Sequence, residues 1–308
     1  MESGRAPRSL VVMNFAAVYL VWGSTYLAIR YAVETIPPFL MAGTRFLISG
    51  AILYLWTRSR GEARPVRANW RAAAIIGFFL LVGGNGGVVW AEQRVPSGLT
   101  ALLVASVPLW VVLLEWAGGA QRPTGRVWLG IAIGFVGLGI LVGPSEVLGG
   151  NSVDGWGAAA LVGASVTWAI GSVASRRVDL PRSPLLGTGM EMLTGGAMML
   201  LVGLAAGEWR DLDLAAVSRE SWIGLAYLTI VGSLVGFTAY IWLLHNVEMA
   251  HASTYAYVNP VVAVFLGWAI AGEPLSARVL VAAAVIVAGV VFISTGKQRP
   301  ARELAGPD

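Results

Sequence analysis

The chain has 308 residues, of which 56% are hydrophobic and 12% are charged, and its formal net charge is +4. Soluble domains carry about 25% charged residues, so this composition excludes an ordinary soluble protein, which could not cover its surface with so few charges. A positive charge would suit a nucleic-acid partner, but the Lys and Arg residues are concentrated on alternate connectors, which excludes that class as well.

Ten apolar runs of about 20 residues follow one another along the chain. A helix rising ~1.5 Å per residue needs about 20 residues to cross ~30 Å of hydrocarbon. The runs cover residues 11–30, 38–57, 71–90, 98–117, 124–143, 155–175, 184–206, 221–243, 250–270 and 277–296. Because the connectors are short, we predict an all-α polytopic membrane protein with ten transmembrane helices and no separate soluble domain.

The distribution of positive charge predicts the orientation of these helices. Fifteen of the 21 Lys and Arg residues lie at the two termini and in or beside the even-numbered connectors. Five lie in or beside the odd-numbered connectors, and Arg45 alone lies inside a run. Lys and Arg favour the cytoplasmic side, so we predict a plasma (inner) membrane protein whose tails, residues 1–10 and 297–308, are both cytoplasmic.

The chain contains two copies of one five-helix unit, residues 11–143 and 154–296. A shift of 146 residues places Trp22 on Trp168, and a shift of 152 residues places Pro108 on Pro260. Because five is an odd number, the second copy must enter the membrane from the opposite face. Inverted repeats of this kind are typical of secondary transporters, in which the substrate site lies between the repeats.

The chain contains the segments WGSTYLAIR, IPPFLMAGTRFLISGAILYLW, EQRVPSGLTALLVASVPLW and STYAYVNPVVAVFLGWAIAGEPLS. These segments resemble the EamA family of the drug/metabolite transporter superfamily, and most of all its ten-helix bacterial exporters. The resemblance extends over residues 11–296. It implies a 5+5 inverted bundle with a central cavity lined mainly by helices 1, 3, 4, 6, 8 and 9, and with helices 5 and 10 at the periphery. It leaves the substrate open, since the superfamily carries amino acids, sugars, nucleotide sugars and drugs.

Polar and aromatic residues interrupt the first run in the segment VWGSTYLAIR. Ser24, Thr25 and Tyr26 cover more of the helix circumference than one packing contact can use, so some of them should face water. Close packing of small residues is the alternative explanation for Ser24. Trp22 and its repeat mate Trp168 lie inside their runs rather than at the membrane interface, so we predict that they form walls of a cavity.

Two prolines and one glycine-rich segment predict bends. Pro108 and Pro260 each remove a backbone donor, which leaves a carbonyl that needs a partner or water. We predict that they are gating kinks, the alternative being a purely structural kink. In GGNGG, residues 83–87, the glycines weaken the helix, so we predict a bend with Asn85 facing the substrate; tight packing is the alternative.

The complete set of predicted substrate-binding residues is aromatic, hydroxylated or amide-bearing, which suits an amino-acid-like or amphipathic solute better than a phosphate. The set is Trp22, Ser24, Thr25, Tyr26, Asn85, Trp90, Ser106, Trp110, Trp168, Ser172, Trp242, Tyr255 and Asn259.

Charged residues inside the runs form a second group of candidates. Arg45 and Glu191 occupy equivalent positions in the two repeats, seven residues after Pro38 and Pro184. A charge at the bilayer midplane costs ~2.5–3.5 kcal/mol on insertion scales, so each should face protein or water. For Arg45, snorkelling is the alternative. For Glu191 we hypothesise a contact with His251 that binds protons during transport.

These features predict a secondary active transporter that exports a small organic metabolite or drug by alternating access, with protons as the candidate coupling ion. A passive facilitator of the same fold is the alternative. A membrane-embedded enzyme is disfavoured because the chain has two histidines, no cysteine and no HExxH or GxSxG motif. We predict no catalytic residue, no metal and no cofactor. The partners are the small-molecule substrate and the lipid bilayer, with both monomer and homodimer open.

Overall fold

The computed structural model describes residues 7–119, 123–142, 154–175, 177–247 and 255–295, and within these ranges the chain forms helices and no strand. Ten helices follow the predicted runs, which confirms the predicted all-helical architecture. They are α1 (Arg8–Ala32), α2 (Pro38–Ser59), α3 (Arg67–Ala91), α4 (Ser97–Ala117), α5 (Gly125–Val142), α6 (Gly155–Ser175), α7 (Pro184–Ala205), α8 (Arg219–Asn246), α9 (Tyr255–Ala271) and α10 (Ala277–Thr295).

Length and hydropathy qualify seven of these helices, α1 to α4 and α6 to α8, as membrane spans. The other three are apolar as well, over shorter described stretches. α2 and α7 both begin at a proline, Pro38 and Pro184, where the missing N–H costs nothing because the first turn of a helix has no internal acceptor to donate to. The predicted tails lie almost entirely outside the described residues.

The packing of the helices follows a two-fold relation between the repeats. α1 packs against α8 and α9, and its repeat mate α6 packs against α3 and α4. α2 packs against α7, and α5 packs against α10, so each of these pairs joins a helix to its own mate. This exchange of partners is the arrangement that the inverted repeat predicts.

Glycines bring α2 and α7 into backbone contact. A Cβ atom placed on Gly50 would lie 2.9 Å from the carbonyl oxygen of Gly189, and one placed on Gly196 would lie 3.0 Å from that of Gly43. A shift of 146 residues exchanges Gly43 with Gly189 and Gly50 with Gly196, so the two contacts are copies of each other. Small residues allow this approach, which supplies van der Waals contact where lipid gives no hydrophobic driving force.

α3 and α8 each contain a π-helical segment, which the sequence did not predict. The segments are Phe78–Asn85 in α3 and Leu228–Val235 in α8, at nearly matched positions in the two repeats. The predicted bend at 83–87 overlaps the end of the first segment. A π-helical turn shifts the face that the following residues present, so it changes which side chains point inward.

The two matched prolines have different effects. α4 is interrupted at Ala105 and Ser106 and resumes at Val107, so that Pro108 lies in the first turn of the resumed helix. Pro260 lies inside α9, which is continuous through it. Only the first repeat therefore has a broken helix at this position.

The α2–α7 contact gives a stability prediction. We expect Gly50→Ala to lower the thermal unfolding temperature of the purified protein, because the new methyl group meets backbone atoms of Leu193 and Gly189 that cannot move independently. Overpacking of this kind costs ~1–3 kcal/mol. The matched control is Gly163→Ala in α6, where a Cβ atom meets nothing within 4 Å. Equal unfolding temperatures for the two variants would show that this crossing does not stabilise the bundle.

Candidate functional site

A cavity of about 690 Å³ lies between the two repeats. Every helix except α5 contributes to its wall. The contribution of α7 is substantial and places Thr188 and Glu191 in the wall, while α2 contributes Arg45 and α10 contributes Ile293. Helices 2 and 7 were not among the six cavity helices that the resemblance implied.

The cavity runs along the bundle toward one of its two ends. Its wall includes Leu180 and Pro181 in the connection between α6 and α7, and we call this the Pro181 end. In the opposite direction, toward the connections α1–α2, α3–α4 and α9–α10, the wall includes Ile29 and Ala101. We call the second end the Glu273 end, after a residue of the α9–α10 connection.

Most of the predicted site residues lie in this wall, and their proposed contact with substrate stays a prediction. The residues in the wall are Trp22, Thr25, Tyr26, Asn85, Trp168, Ser172, Tyr255 and Asn259, together with the prolines Pro108 and Pro260 and the charged residues Arg45 and Glu191.

Five predicted residues lie elsewhere, beginning with Ser24 and Ser106. The Ser24 hydroxyl donates to the Val21 carbonyl and lies 2.7 Å from the Tyr227 hydroxyl, in a groove formed by α1, α8 and α9. Ser106 is fully buried and accepts a hydrogen bond from the indole N–H of Trp110. Both hydroxyls are thus directed at protein partners and not at the cavity.

The other three are tryptophans. Trp110 packs edge-on against Phe135 of α5, away from the cavity. Trp90 lies beneath the Arg94 guanidinium, whose centre is 4.9 Å from the ring. Trp242 packs beside the buried cluster around Leu243. The predicted proton-binding contact involves His251, which lies outside the described residues.

Trp22 and Trp168 each pack directly against a glycine of the opposite repeat. A Cβ atom on Gly236 would lie 2.5 Å from the indole nitrogen of Trp22, and one on Gly84 would lie 2.8 Å from a ring carbon of Trp168. These two contacts are repeat copies of each other. The Trp22 indole also donates to the Gly232 carbonyl at 3.3 Å, inside the π-helical segment of α8.

An aromatic cluster surrounds Trp22 in the wall. Its ring centroid lies 5.3 Å from that of Phe237, 4.9 Å from that of Tyr240 and 5.1 Å from that of Tyr255. Phe237 and Tyr240 were not predicted, whereas Trp242 was. Residues two positions apart on a helix differ by about 200° in direction, so Tyr240 faces the cavity and Trp242 does not.

The charged residues of the wall bring a cation and a carboxyl group into the cavity. Arg45 is 4% exposed, and its Nε atom donates to the Ser233 hydroxyl at 2.9 Å. Its Nη1 atom is buried and has no hydrogen-bond partner in the part of the chain that the structure describes. Glu191 enters the wall from the equivalent position of α7. Arg45 therefore brings to the cavity wall a guanidinium group that retains one buried donor without a partner among the described residues.

At the Glu273 end, one carboxylate bridges three parts of the chain. Glu273 pairs with Arg30 of α1, with 2.6 Å between Oε1 and Nη1. It also accepts hydrogen bonds from the Ser97 backbone N–H and hydroxyl, both at 2.8 Å, and from the Gly98 N–H at 3.0 Å. Ser97 and Gly98 begin α4, where backbone N–H groups lack helical acceptors and favour an anion. One side chain of the second repeat thus binds two helices of the first.

Local sequence explains the position of this carboxylate. Gly272 adopts φ +64°, which ends α9 in the left-handed conformation, and the Glu273 N–H then donates to the Gly267 carbonyl. A Cβ atom on Gly267 would collide with the Glu273 carboxylate, so glycine leaves the room it needs. The segment GEPLS is part of the family resemblance, but the sequence alone does not show which groups bind the carboxylate of Glu273.

Within the described ranges, no three His, Asp or Glu side chains lie together as a group that could hold a metal ion.

Comparison with known proteins places the chain among transporters. Residues 9–143 and residues 155–295 each match the EamA-like transporter family. The uncharacterized inner membrane transporter YedA of Escherichia coli is 41% identical over 94% of the chain and 93% of its own length. Protein PecM of Dickeya dadantii is 29% identical over 89% of the chain and 86% of its own length. A solved crystal structure, described only as that of a protein, matches with a TM-score of 0.64 at 22% identity, over 92% of this chain and 97% of the other.

The contacts of Glu273 give a structural prediction. Because the chain has no cysteine, spin labels on Glu34→Cys and Leu275→Cys, both exposed at the Glu273 end, report one distance across it. We expect Glu273→Ala to shift the distances measured by double electron–electron resonance to longer values, because four hydrogen bonds across this end are lost. The control is Glu220→Ala, an exposed acid at the start of α8. Distances unchanged by Glu273→Ala would show that these hydrogen bonds do not hold α1 and α4 to the α9–α10 connection.

Proposed function

The chain belongs to the EamA-like transporter family, and from that premise we propose that it is a secondary active transporter that exports a small organic solute by alternating access. Its relatives include proteins named as inner membrane transporters, and it is a multi-pass membrane protein like them. The observation that carries the proposal is a cavity between two inverted repeats that reaches one end of the bundle, while Glu273 bridges α1 and α4 at the other.

The two ends of the bundle differ in chemistry although the repeats share one fold. A shift of 152 residues places Glu273 on Gln121 and Ser97 on Met249. The repeat therefore does not reproduce the carboxylate and its serine partner at the Pro181 end. A carrier needs two states, each closed at one end, whose free energies differ by no more than a few kcal/mol, so that both are populated. Different side chains at the two ends are compatible with this requirement and allow each end to respond to different conditions.

The charge distribution supports one orientation of the bundle in the membrane, and on that orientation we propose how a solute would leave the cell. The Lys and Arg residues concentrate on the connectors at the Pro181 end, which supports a cytoplasmic location for that end. The conformation described is then inward-facing, with the cavity reaching the cytoplasmic end. A solute from the cytoplasm would enter beside Pro181 and leave once the Glu273 contacts separate.

The wall of the cavity supports an amino-acid-like or amphipathic substrate. The aromatic cluster around Trp22 offers a broad apolar face, and rings of this kind bind apolar or cationic groups. The unused Nη1 donor of Arg45 suits a carboxylate, and the Glu191 carboxyl suits an ammonium group. The two charges come from opposite repeats, so a zwitterion bridging them would contact both halves of the carrier.

Counterflow in proteoliposomes tests the transport function. Radiolabelled tryptophan, radiolabelled leucine and tetraphenylphosphonium serve as probes of a zwitterionic aromatic, a zwitterionic aliphatic and a cationic amphipathic solute. We expect saturable counterflow of at least one probe. Flux that does not saturate with any probe would indicate a channel, and chemical conversion of a probe would indicate an enzyme.

Arg45 provides the matched variant for this assay. A hydrogen bond to a charged group contributes ~1.5–3 kcal/mol, so we expect Arg45→Gln to reduce the apparent affinity for a carboxylate-bearing probe at least tenfold. The control is Arg71→Gln, an exposed arginine at the start of α3, which should leave the affinity unchanged. If both variants reduce the apparent affinity equally, or if Arg45→Gln changes the affinity for tetraphenylphosphonium alone, then Arg45 does not bind the carboxylate of the probe.

Glu191 tests the coupling to protons. We expect Glu191→Gln to abolish transport driven by a pH gradient at every pH, because an amide cannot exchange a proton. The measurement is gradient-driven flux across a pH series, with Glu220→Gln as the control. If Glu191→Gln retains the pH dependence of the native protein, Glu191 is not the coupling group.

A further inference from the structure

A second carboxyl group, Glu92, lies beside the Arg30–Glu273 pair without taking part in it. Glu92 directly follows α3, just outside the membrane-spanning segment, and is 5% exposed. Both of its carboxylate oxygens are buried, and neither forms a hydrogen bond to any described residue. It differs in this respect from Glu273, which accepts four. A buried carboxylate without partners is strongly unfavourable, whereas a neutral carboxylic acid is far less costly to bury.

The groups that act on Glu92 come from two neighbouring elements. Arg30 and Tyr26 face it from α1, and Glu273 faces it from the α9–α10 connection. Burial raises the pKa of Glu92 well above its usual value, and the negative charge of Glu273 raises it further. The Arg30 guanidinium and its nearby backbone N–H oppose this effect but do not cancel it. Arg30 is already occupied by Glu273, and so offers Glu92 only a shared charge.

We propose that Glu92 is a proton-binding site that stabilises the closed Glu273 end when it is occupied. In the closed state the side chain is dry and unpartnered, so it is held as the neutral acid. When the end opens, water reaches the carboxyl group, and the ionised form is no longer penalised. The ionised group also competes with Glu273 for Arg30, which works against closing again.

The direction of the pH effect follows from this difference between the two states. In the open state Glu92 titrates near its ordinary pKa of about 4.3, and in the closed state it titrates higher. The stabilisation of the closed state is therefore complete below the ordinary pKa and is lost as the pH rises through the closed-state pKa. Acid at the Glu273 end favours closure, and alkali favours opening.

The second repeat lacks this group. A shift of 152 residues places Glu92 on Leu244, a residue that cannot titrate. Glu92 is also absent from the cavity wall, so a proton on it does not occupy the position of the substrate. The inference rests on the proposed function only in treating the Glu273 end as the gate of a carrier.

The spin-label pair at Glu34→Cys and Leu275→Cys tests the proposal directly. In liposomes equilibrated between pH 4.5 and 9, we expect the fraction of long distances to rise at least fivefold with pH in the parent pair. Glu92→Gln imitates the protonated acid and should keep the short distance at every pH. Glu92→Leu, which introduces the residue found at the equivalent position 244 of the second repeat, should behave in the same way. It replaces Glu92→Gln in the experiment if the glutamine variant does not fold.

Control variants separate Glu92 from its neighbour. Glu273→Gln should raise the fraction of long distances at every pH, and this fraction should still increase with pH because Glu92 is retained. If Glu92→Gln keeps the pH dependence of the parent pair, or if it opens the end, the proposal is wrong. The same holds if Glu273→Gln alone removes the pH dependence, since the proton site is then Glu273. The distance measurement needs no substrate, so its failure is distinguishable from a failure of counterflow.

Discussion

A polar group inside a bilayer must find a partner or water, and the polar groups of this chain divide between these two solutions. The hydroxyls of Thr25 and Ser172 donate to carbonyls of their own helix turn, Trp22 and Trp168, and so satisfy themselves locally. Glu273 is satisfied by two helices of the other repeat. Arg45 is satisfied in part, and the remaining donor lies at the cavity wall. At Arg45 the chain therefore leaves, on a residue of the cavity wall, a donor without a hydrogen-bond partner among the described residues.

The fold is symmetric, but the chemistry placed on it is not. Backbone contacts obey the two-fold relation closely, as the paired contacts of Gly43 with Gly196 and of Gly50 with Gly189 show. Charged groups do not obey it, since the repeat places Arg45 on Glu191 and Glu92 on Leu244. In the proposed alternating-access cycle, symmetric packing would give two conformations of similar energy, and unlike side chains would decide which of them is favoured.

The helices were predictable because a membrane span needs about 20 apolar residues, and the sequence shows each one directly. Much of the cavity wall was predictable from residues that interrupt these runs. Trp90 and Trp242 do not line the cavity, although the sequence predicted that they would. Hydropathy gives the existence of a span but not its rotation. The π-helical segments before them change the direction of the following residues, and no residue pattern revealed them. The partners of Glu273 depend on a connection that meets α1 and α4 only in the folded bundle.

Glu92 and Glu273 differ in their hydrogen-bond partners, and this difference affects how the binding of a proton and the binding of a solute can be coupled. A proton on Glu92 and a solute in the cavity occupy separate sites, so they do not compete by contact. A proton on Glu92 can influence the solute through the equilibrium between the closed and open Glu273 end, provided that the solute also binds one of these states more tightly. The resulting coupling is reciprocal: whatever the proton does to the affinity for the solute, the solute does to the affinity for the proton. A gate of this kind would make transport sensitive to pH through a group that lies outside the cavity wall.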